Sequence, residues 1–102
     1  MLELRPNCEL CDRDLPPSST DARICSYECT WCAQCADEVL QGVCPNCGGN
    51  LVPRPIRPAS EWREGIGLAH QPAGAERRHT RWSRADIADL ASRVRGIAPE
   101  DR

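Results

Sequence analysis

Apolar side chains follow a clear period in only one stretch of this chain, where Ile87, Leu90, Ala91 and Val94 recur at i, i+3, i+4 and i+7. That is the spacing of one helical face. The flanks carry matching start and stop signals. Ser83 can cap the first turn, Asp86 stands three residues on as the acid of a capping box, and Trp82 and Ile87 occupy the two positions of a hydrophobic staple. Arg93 and Arg95 suit the negative end of the helix dipole, and Gly96 and Pro99 stop the run. The pattern predicts an amphipathic helix over about residues 84–95, within a capped terminal segment 83–97. A helix this short is marginal alone in water. Its stripe therefore needs a surface, which the rest of the chain, a second copy through self-association, or another protein could supply.

Upstream, residues 53–82 show no period and read as a Pro/Arg-rich linker. Pro53-Arg54-Pro55-Ile56-Arg57-Pro58 removes three backbone donors and fixes φ, which predicts extended, polyproline-like chain. Its PxxP pattern is shared with ligands of aromatic grooves, but a spacer is the simpler reading. Residues 1–52 hold every cysteine and form the predicted folded module.

Composition explains what must hold that module. Among 102 residues there is no phenylalanine, with three tryptophans, one tyrosine and one methionine, so an ordinary apolar core cannot be filled. Chains this small usually need disulfides or metal. Glu3 and Arg5 lead straight into Cys8, leaving no room for the apolar segment of a signal peptide, and no apolar run approaches the length of a membrane span. The expectation is a cytoplasmic protein with no membrane partner. In reducing cytosol, paired cysteines are read as metal or redox groups before disulfides.

The eight cysteines fall as Cys8-x2-Cys11, Cys25-x3-Cys29-x2-Cys32-x2-Cys35 and Cys44-Pro45-Asn46-Cys47. Four short-spaced pairs suit two tetrahedral sites, and two Zn2+ ions are the expected cofactors, because a borderline-soft ion accepts four thiolates at about 2.3 Å. Gly48-Gly49 follows the last pair and allows the positive φ that such knuckles need, with amides turned toward the sulfurs. Spacing alone permits sequential, nested or interleaved pairing of the four pairs. Interleaving would tie the whole module together, since each ion closes a loop across the other site, and structural zinc contributes roughly 10–16 kcal/mol of apparent binding energy.

The order C-x2-C, C-x3-C-x2-C-x2-C, C-P-x-C over residues 8–47 resembles the cross-brace RING finger, with Cys29 where that family most often has histidine. The resemblance implies a RING-like, metal-stabilised domain with little regular secondary structure. It would place Cys8, Cys11, Cys32 and Cys35 on one zinc and Cys25, Cys29, Cys44 and Cys47 on the other. Trp31 matches the family's buried aromatic, and residues 36–41 fall where the family carries a short helix. Leu10, Val39 and Pro45 match the positions by which RING ligases grip a ubiquitin-conjugating enzyme, so they are the implied partner-binding residues. Val39 is smaller than the tryptophan often found there, and Gly48 stands in place of the arginine that many active ligases use.

The chain also closely resembles a family of small bacterial proteins defined only as a domain of unknown function. The likeness runs through Arg5-Pro6-Asn7-Cys8, Cys11-Asp12-Arg13-Asp14-Leu15-Pro16-Pro17 and Cys44-Pro45-Asn46-Cys47-Gly48-Gly49 and spans about residues 1–57. It implies a bacterial, intracellular zinc protein and brings no activity with it. From Ala59 onward the chain departs from the family.

Other chemistry fits the cysteines less well. Cys25-x3-Cys29-x2-Cys32 also matches radical enzymes that bind an iron–sulfur cluster, but those need a large α/β barrel that this length excludes. An electron-transfer cluster with Cys35 as fourth ligand would leave the other four cysteines for a separate zinc. Thiol exchange through one CxxC lacks its usual βαβ setting. Hydrolytic zinc needs an open position, and closed four-thiolate sites offer none. His70 and His79 read as exposed linker histidines, and Asp12, Asp14, Asp37 and Glu38 as surface charges. The expectation is a non-enzyme.

Charge then separates the remaining roles. Residues 1–50 hold eight acids against three arginines, while residues 51–102 hold ten arginines against seven acids, and no lysine is present. Nucleic-acid binding would have to use the tail, where Trp62 and Trp82 could stack, and mixed charge there reads more simply as solubilising. The leading reading is a zinc-stapled protein-interaction module or adaptor with an unspecified protein partner. A ligase-like adaptor is the alternative, and core packing of Leu10, Val39 and Pro45 competes with a contact role.

Overall fold

A computed structural model describes residues 1–102. Its regular structure is sparse. Strand β1 (Ala22–Ile24) and strand β2 (Thr30–Cys32) form an antiparallel hairpin with Ala22 opposite Cys32, Arg23 opposite Trp31 and Ile24 opposite Thr30. Strand β3 (Val52–Pro53) pairs with the free edge of β1, giving the order β2-β1-β3. An edge is where a strand tolerates proline, because one side of its backbone needs no donor. The core around the hairpin is largely sulfur and tryptophan. Trp31, Leu15, Leu40 and six of the cysteines are buried in one cluster with Ala22, Ala36 and Ile87. The short helical segment expected near residues 36–41 is a single π-helical turn over Cys35–Val39, closed by the Leu40 amide donating to the Cys35 carbonyl at 2.9 Å.

Residues 53–82 are extended over much of their length, but they run against the module as a strap instead of hanging free of it. The Arg54 guanidinium is buried and donates to the carbonyls of Arg5 at 2.8 Å, Leu15 at 3.1 Å and Pro16 at 3.1 Å. It has no carboxylate partner, and burial pulls its pKa below the ordinary arginine value. Arg57 reaches the Leu2 carbonyl at 2.7 Å and the Gln71 carbonyl at 2.8 Å, bracing a loop over residues 58–71. Gly67 is required in that loop. Its φ is +146°, and a Cβ there would lie 3.3 Å from the carbonyl oxygens of Pro58 and Ser60.

Beyond the loop the strap follows the N-terminal segment. The Gly74 amide donates to Leu4, the Thr80 amide donates to Glu9, and Asn7 exchanges hydrogen bonds with the backbone of Arg78 in both directions. Arg77 grips Asp12 at 3.0 Å and Asp14 at 2.7 Å. The two oppositely charged halves of the sequence are thus joined across one surface. Exposed pairs of this kind contribute little individually, and the buried hydrogen bonds of Arg54 and Asn7 matter more.

The terminal helix α1 (Arg84–Val94) forms where its pattern places it, with the Ser83–Asp86 capping box made in both directions. Ile87 and Ala91 are its buried residues, and Ile87 enters the same core cluster as the cysteines. The stripe therefore docks on the chain's own module. A 3-10 turn over Pro99–Asp101 ends the fold.

Replacing Arg54 with methionine keeps the aliphatic stem and removes the donors to three carbonyls. Denaturant unfolding of the metal-loaded Arg54→Met protein should show a loss of about 2 kcal/mol at unchanged metal content. A loss under about 0.5 kcal/mol, the size expected at an indifferent surface site, would mean that the strap is not fastened there.

Candidate metal centres

The local geometry of each cysteine pair follows from tight turns that aim two sulfurs the same way. In the first knuckle the Asp12 amide returns to the Cys8 carbonyl at 3.0 Å and the Cys8 amide donates to Arg13 at 2.9 Å, with Asp12 held at φ +66°. In the last, the Gly48 amide returns to Cys44 at 2.7 Å and the Cys44 amide donates to Gly49 at 2.8 Å, with Gly48 at φ +80°. The two turns are the same device. Each needs a left-handed residue directly after its second cysteine, which glycine adopts freely and an aspartate adopts at modest cost. As the Gly48-Gly49 pair predicts, the Gly49 amide turns onto the Cys47 sulfur at 3.4 Å. The Cys35 amide does the same to Cys32 at 3.4 Å, and the Tyr27 amide to Cys25 at 3.3 Å. Such donors spread the negative charge of a thiolate.

The hairpin distributes its cysteines between two groups. Cys25 and Cys29 flank the turn at one end, where the Cys25 amide donates to the Cys29 carbonyl at 3.3 Å, while Cys32 closes β2 at the other. The three steps of extended strand from Cys29 to Cys32 span about 10 Å, enough to keep two ions apart. Cys8, Cys11, Cys32 and Cys35 bring all four sulfurs within 4.8 Å of one another, and Cys25, Cys44 and Cys47 do the same at the second position. The first and third pairs converge, and Cys25 of the second pair converges with the fourth. The connection is interleaved.

Cys29 lies outside the mutual 4.8 Å limit of the second group. The Cys29 and Cys44 thiols hold the Cys25 thiol beside them down at about 3, despite burial. Cys44, donating to Cys25 and Cys29, is pushed far upward. At the first group burial is the leading influence, raising Cys8 and Cys35, whereas the Arg13 backbone and three neighbouring thiols bring Cys11 below its ordinary value against a burial effect. Burial and thiol neighbours thus raise Cys8, Cys35 and Cys44 and lower Cys11 and Cys25, and a divalent cation would favour the thiolate form at every sulfur it coordinates.

The donor sets fit a tetrahedral metal. An ion with four sulfurs at about 2.3 Å requires sulfur–sulfur edges of about 3.8 Å, and Cys11 and Cys32 stand 3.7 Å apart. The same geometry removes the iron–sulfur alternative built on Cys25, Cys29 and Cys32, because Cys32 and Cys35 belong to one group and Cys25 to the other.

The module's sequence has relatives. A family model described as Protein of unknown function (DUF1272) matches residues 1–57. The chain belongs to this family. Its DUF1272 segment contains all eight cysteines and ends on Arg57, the second of the two arginines that tie β3 and the strap to the N-terminal segment. A protein of Rhizobium meliloti (strain 1021), described as Uncharacterized protein R02474, is 72% identical over 60 residues, which is 59% of this chain and 71% of that relative. No solved structure matches the chain.

Around the DUF1272 centres the other candidate residues take definite places. Leu10 and Val39 are half-buried and pack on the core cluster, and Pro45 is buried beside Trp82, Asp86 and Leu90. Asp37 and Glu38 are exposed on the Cys35–Val39 turn. His70 pairs with Glu61 at 2.7 Å in the strap loop. His79 is exposed, yet the strap carries it into a cleft of about 800 Å3 with Cys29, Cys47 and Tyr27. The three arginines of this cleft are all paired, Arg5 with Glu9 at 3.1 Å, Arg77 with Asp12 and Asp14, and Arg78 with Glu3 at 3.2 Å. Sequence reasoning missed the buried Arg5–Glu9 pair and the Arg54 clamp. One signal was available for the clamp, since the family resemblance continues ten residues past Cys47.

Gly48→Ala tests the knuckle. A non-glycine residue at this φ costs about 1 kcal/mol, so chelator competition should show one of the two ions held roughly fivefold more weakly and the other unchanged. Equal weakening at both centres would contradict independent knuckles.

Proposed function

We propose that this protein is a structural-zinc module for protein interaction, with two Zn2+ ions each held by four thiolates and no catalytic step of its own. The single observation that carries the reading is the interleaved convergence of the cysteines into two compact all-sulfur groups. Zinc suits such a set, because it accepts tetrahedral thiolate ligation and brings no redox chemistry. Cys29 is the fourth ligand of the second ion in this reading. It is buried at the hairpin turn, where its carbonyl accepts from the Cys25 amide at 3.3 Å. A small movement of the Cys25–Cys29 turn completes the tetrahedron.

Closed thiolate centres have no vacant position for a substrate or an activated water. The residues nearest to general bases support the same conclusion. Asp12 and Asp14 are engaged by Arg77, and the His79 Nδ1 lies 2.7 Å from the Thr80 carbonyl. A role in binding other macromolecules is what remains for a module of this kind. The ligase-like alternative needs the Leu10–Val39–Pro45 face open, and here Pro45 is buried beside Trp82 and Leu90 while Leu10 and Val39 pack on the core cluster. Nucleic-acid binding through the tail has less support, because Arg54, Arg57, Arg77 and Arg78 are engaged by the module and strap.

Native mass spectrometry and elemental analysis should find two zinc ions per chain. Cys11→Ala and Cys29→Ala should each lower that to one while the other centre stays filled. Lowering the pH should release both, since each thiolate must take up a proton to leave the metal. Iron, a single zinc in the unmodified protein, or a Cys29→Ala protein that still holds two ions tightly would overturn the assignment.

A further inference from the structure

Where the cysteine module passes into the strap, burial repeats every third residue. Leu51 packs against the core cluster, Arg54 is buried and Arg57 is half-buried, whereas Val52, Pro53, Pro55, Ile56 and Pro58 are all exposed. A strand would alternate every second residue. Three residues per turn is the period of a polyproline II helix, and the prolines at 53, 55 and 58 hold φ close to the value that helix needs. The segment therefore turns one edge inward and two outward. Val52, Pro55 and Pro58 share one outer ridge, and Pro53 and Ile56 form the other.

The inner edge is fixed. Arg54 donates to the carbonyls of Arg5, Leu15 and Pro16, and Arg57 donates to those of Leu2 and Gln71, so both guanidinium groups of the motif are engaged in the fold and the outer ridges carry no charge. A segment already held extended loses little further freedom when something binds it. Two observations define what can bind. The outer edge cannot template another strand, because Pro53 and Pro55 have no N–H and the Arg54 amide is taken by the Ala22 carbonyl at 3.0 Å. No amide of the chain donates to the Pro55 or Ile56 carbonyl, which leaves both as acceptors for an outside donor. Beside the ridge lies a hollow of about 360 Å3, lined mainly by the apolar side chains of Leu2, Leu4, Pro55, Ile56 and Pro58. It is large enough for one aromatic ring.

We propose that residues 52–58 are a preformed polyproline ligand, gripped by an aromatic-lined groove of a partner protein that seats one ring in the hollow beside Leu2. This rests on the interaction-module reading and names the partner's class. Recognition of this kind reads the spacing of the proline ridges, and the low entropy of the preformed helix favours it. The partner's groove needs no acidic pocket for arginine, because Arg54 and Arg57 point into the fold. Its polar contribution is instead a donor to the Pro55 or Ile56 carbonyl.

The probe is a purified WW domain, chosen because its aromatic-lined groove takes proline ridges. It is titrated into the full-length, isotope-labelled, zinc-loaded protein while methyl resonances are followed, with zinc content measured on each sample. Saturable shifts should appear at Leu2, Val52 and Ile56 and leave Leu90 and Ile97 unmoved. Replacing Pro55 and Pro58 together with alanine should weaken binding roughly tenfold or more, the size expected for losing one well-buried apolar contact. No shift at residues 52–58 in a chain holding two zinc ions, shifts confined to other surfaces, or unchanged affinity in the double variant overturns the ridge and leaves the zinc assignment standing. Missing zinc in the unmodified protein overturns that assignment instead. If the double variant loses its metal, Ile56→Glu replaces it, and loss of metal there too makes the segment part of the fold and ends the proposal. Shifts at the ridge on concentrating the protein alone make a second copy the occupant, which also overturns it.

Discussion

Two groups of cysteine sulfur share one short hairpin, and the rest of the structure depends on that sharing. Cys25 at the turn belongs to one group while Cys32 at the end of β2 belongs to the other, so metal bound at both groups would fix the strand between them. A ladder only three residues long is marginal by itself. Fixed at both ends by ligation, it becomes the rigid element on which Trp31 is buried and to which β3 attaches. The core is correspondingly small, and its sulfur atoms do part of the packing that leucine and phenylalanine do in larger domains.

A second constraint concerns charge. All the strongly basic side chains are arginine, and the buried Arg54 acts as a multi-pronged donor to backbone carbonyls, a geometry that a lysine ammonium reproduces poorly. Arg54 alone satisfies three carbonyls from two segments, around Arg5 and Leu15-Pro16, which substitutes for secondary structure in a chain that has little. The acidic first half and the basic second half neutralise one another through Arg77 and Arg78 on the surface. Much of the tail's positive charge is therefore directed inward.

Features governed by local rules were legible in the sequence. Ser83, Asp86 and the stripe from Ile87 specified α1 almost to the residue, because capping and helical period are read within a few positions. Gly48-Gly49 announced the last knuckle for the same reason. The spacing of the cysteines announced four pairs but left three ways of joining them, and the likeness to the cross-brace pattern pointed to the arrangement that the structure has. Residues 53–82 looked like a spacer, since prolines and arginines without a period contain no local signal of attachment. What fastens them is a set of contacts across 30 to 75 positions, such as Arg57 with Leu2 and Asn7 with Arg78, and pattern along the chain does not encode such distant partners.

Metal and fold are one equilibrium in this account, and stepwise removal of metal measures that directly. The protein is titrated with a zinc chelator while metal release and the near-ultraviolet signal of Trp31 and its neighbours are followed in the same sample. Loss of the two ions and loss of the tertiary signal should coincide, with the thiols becoming reactive in the same range. A protein that surrenders both ions and keeps its native spectrum would show that burial and hydrogen bonding suffice without ligation, and the account would be wrong.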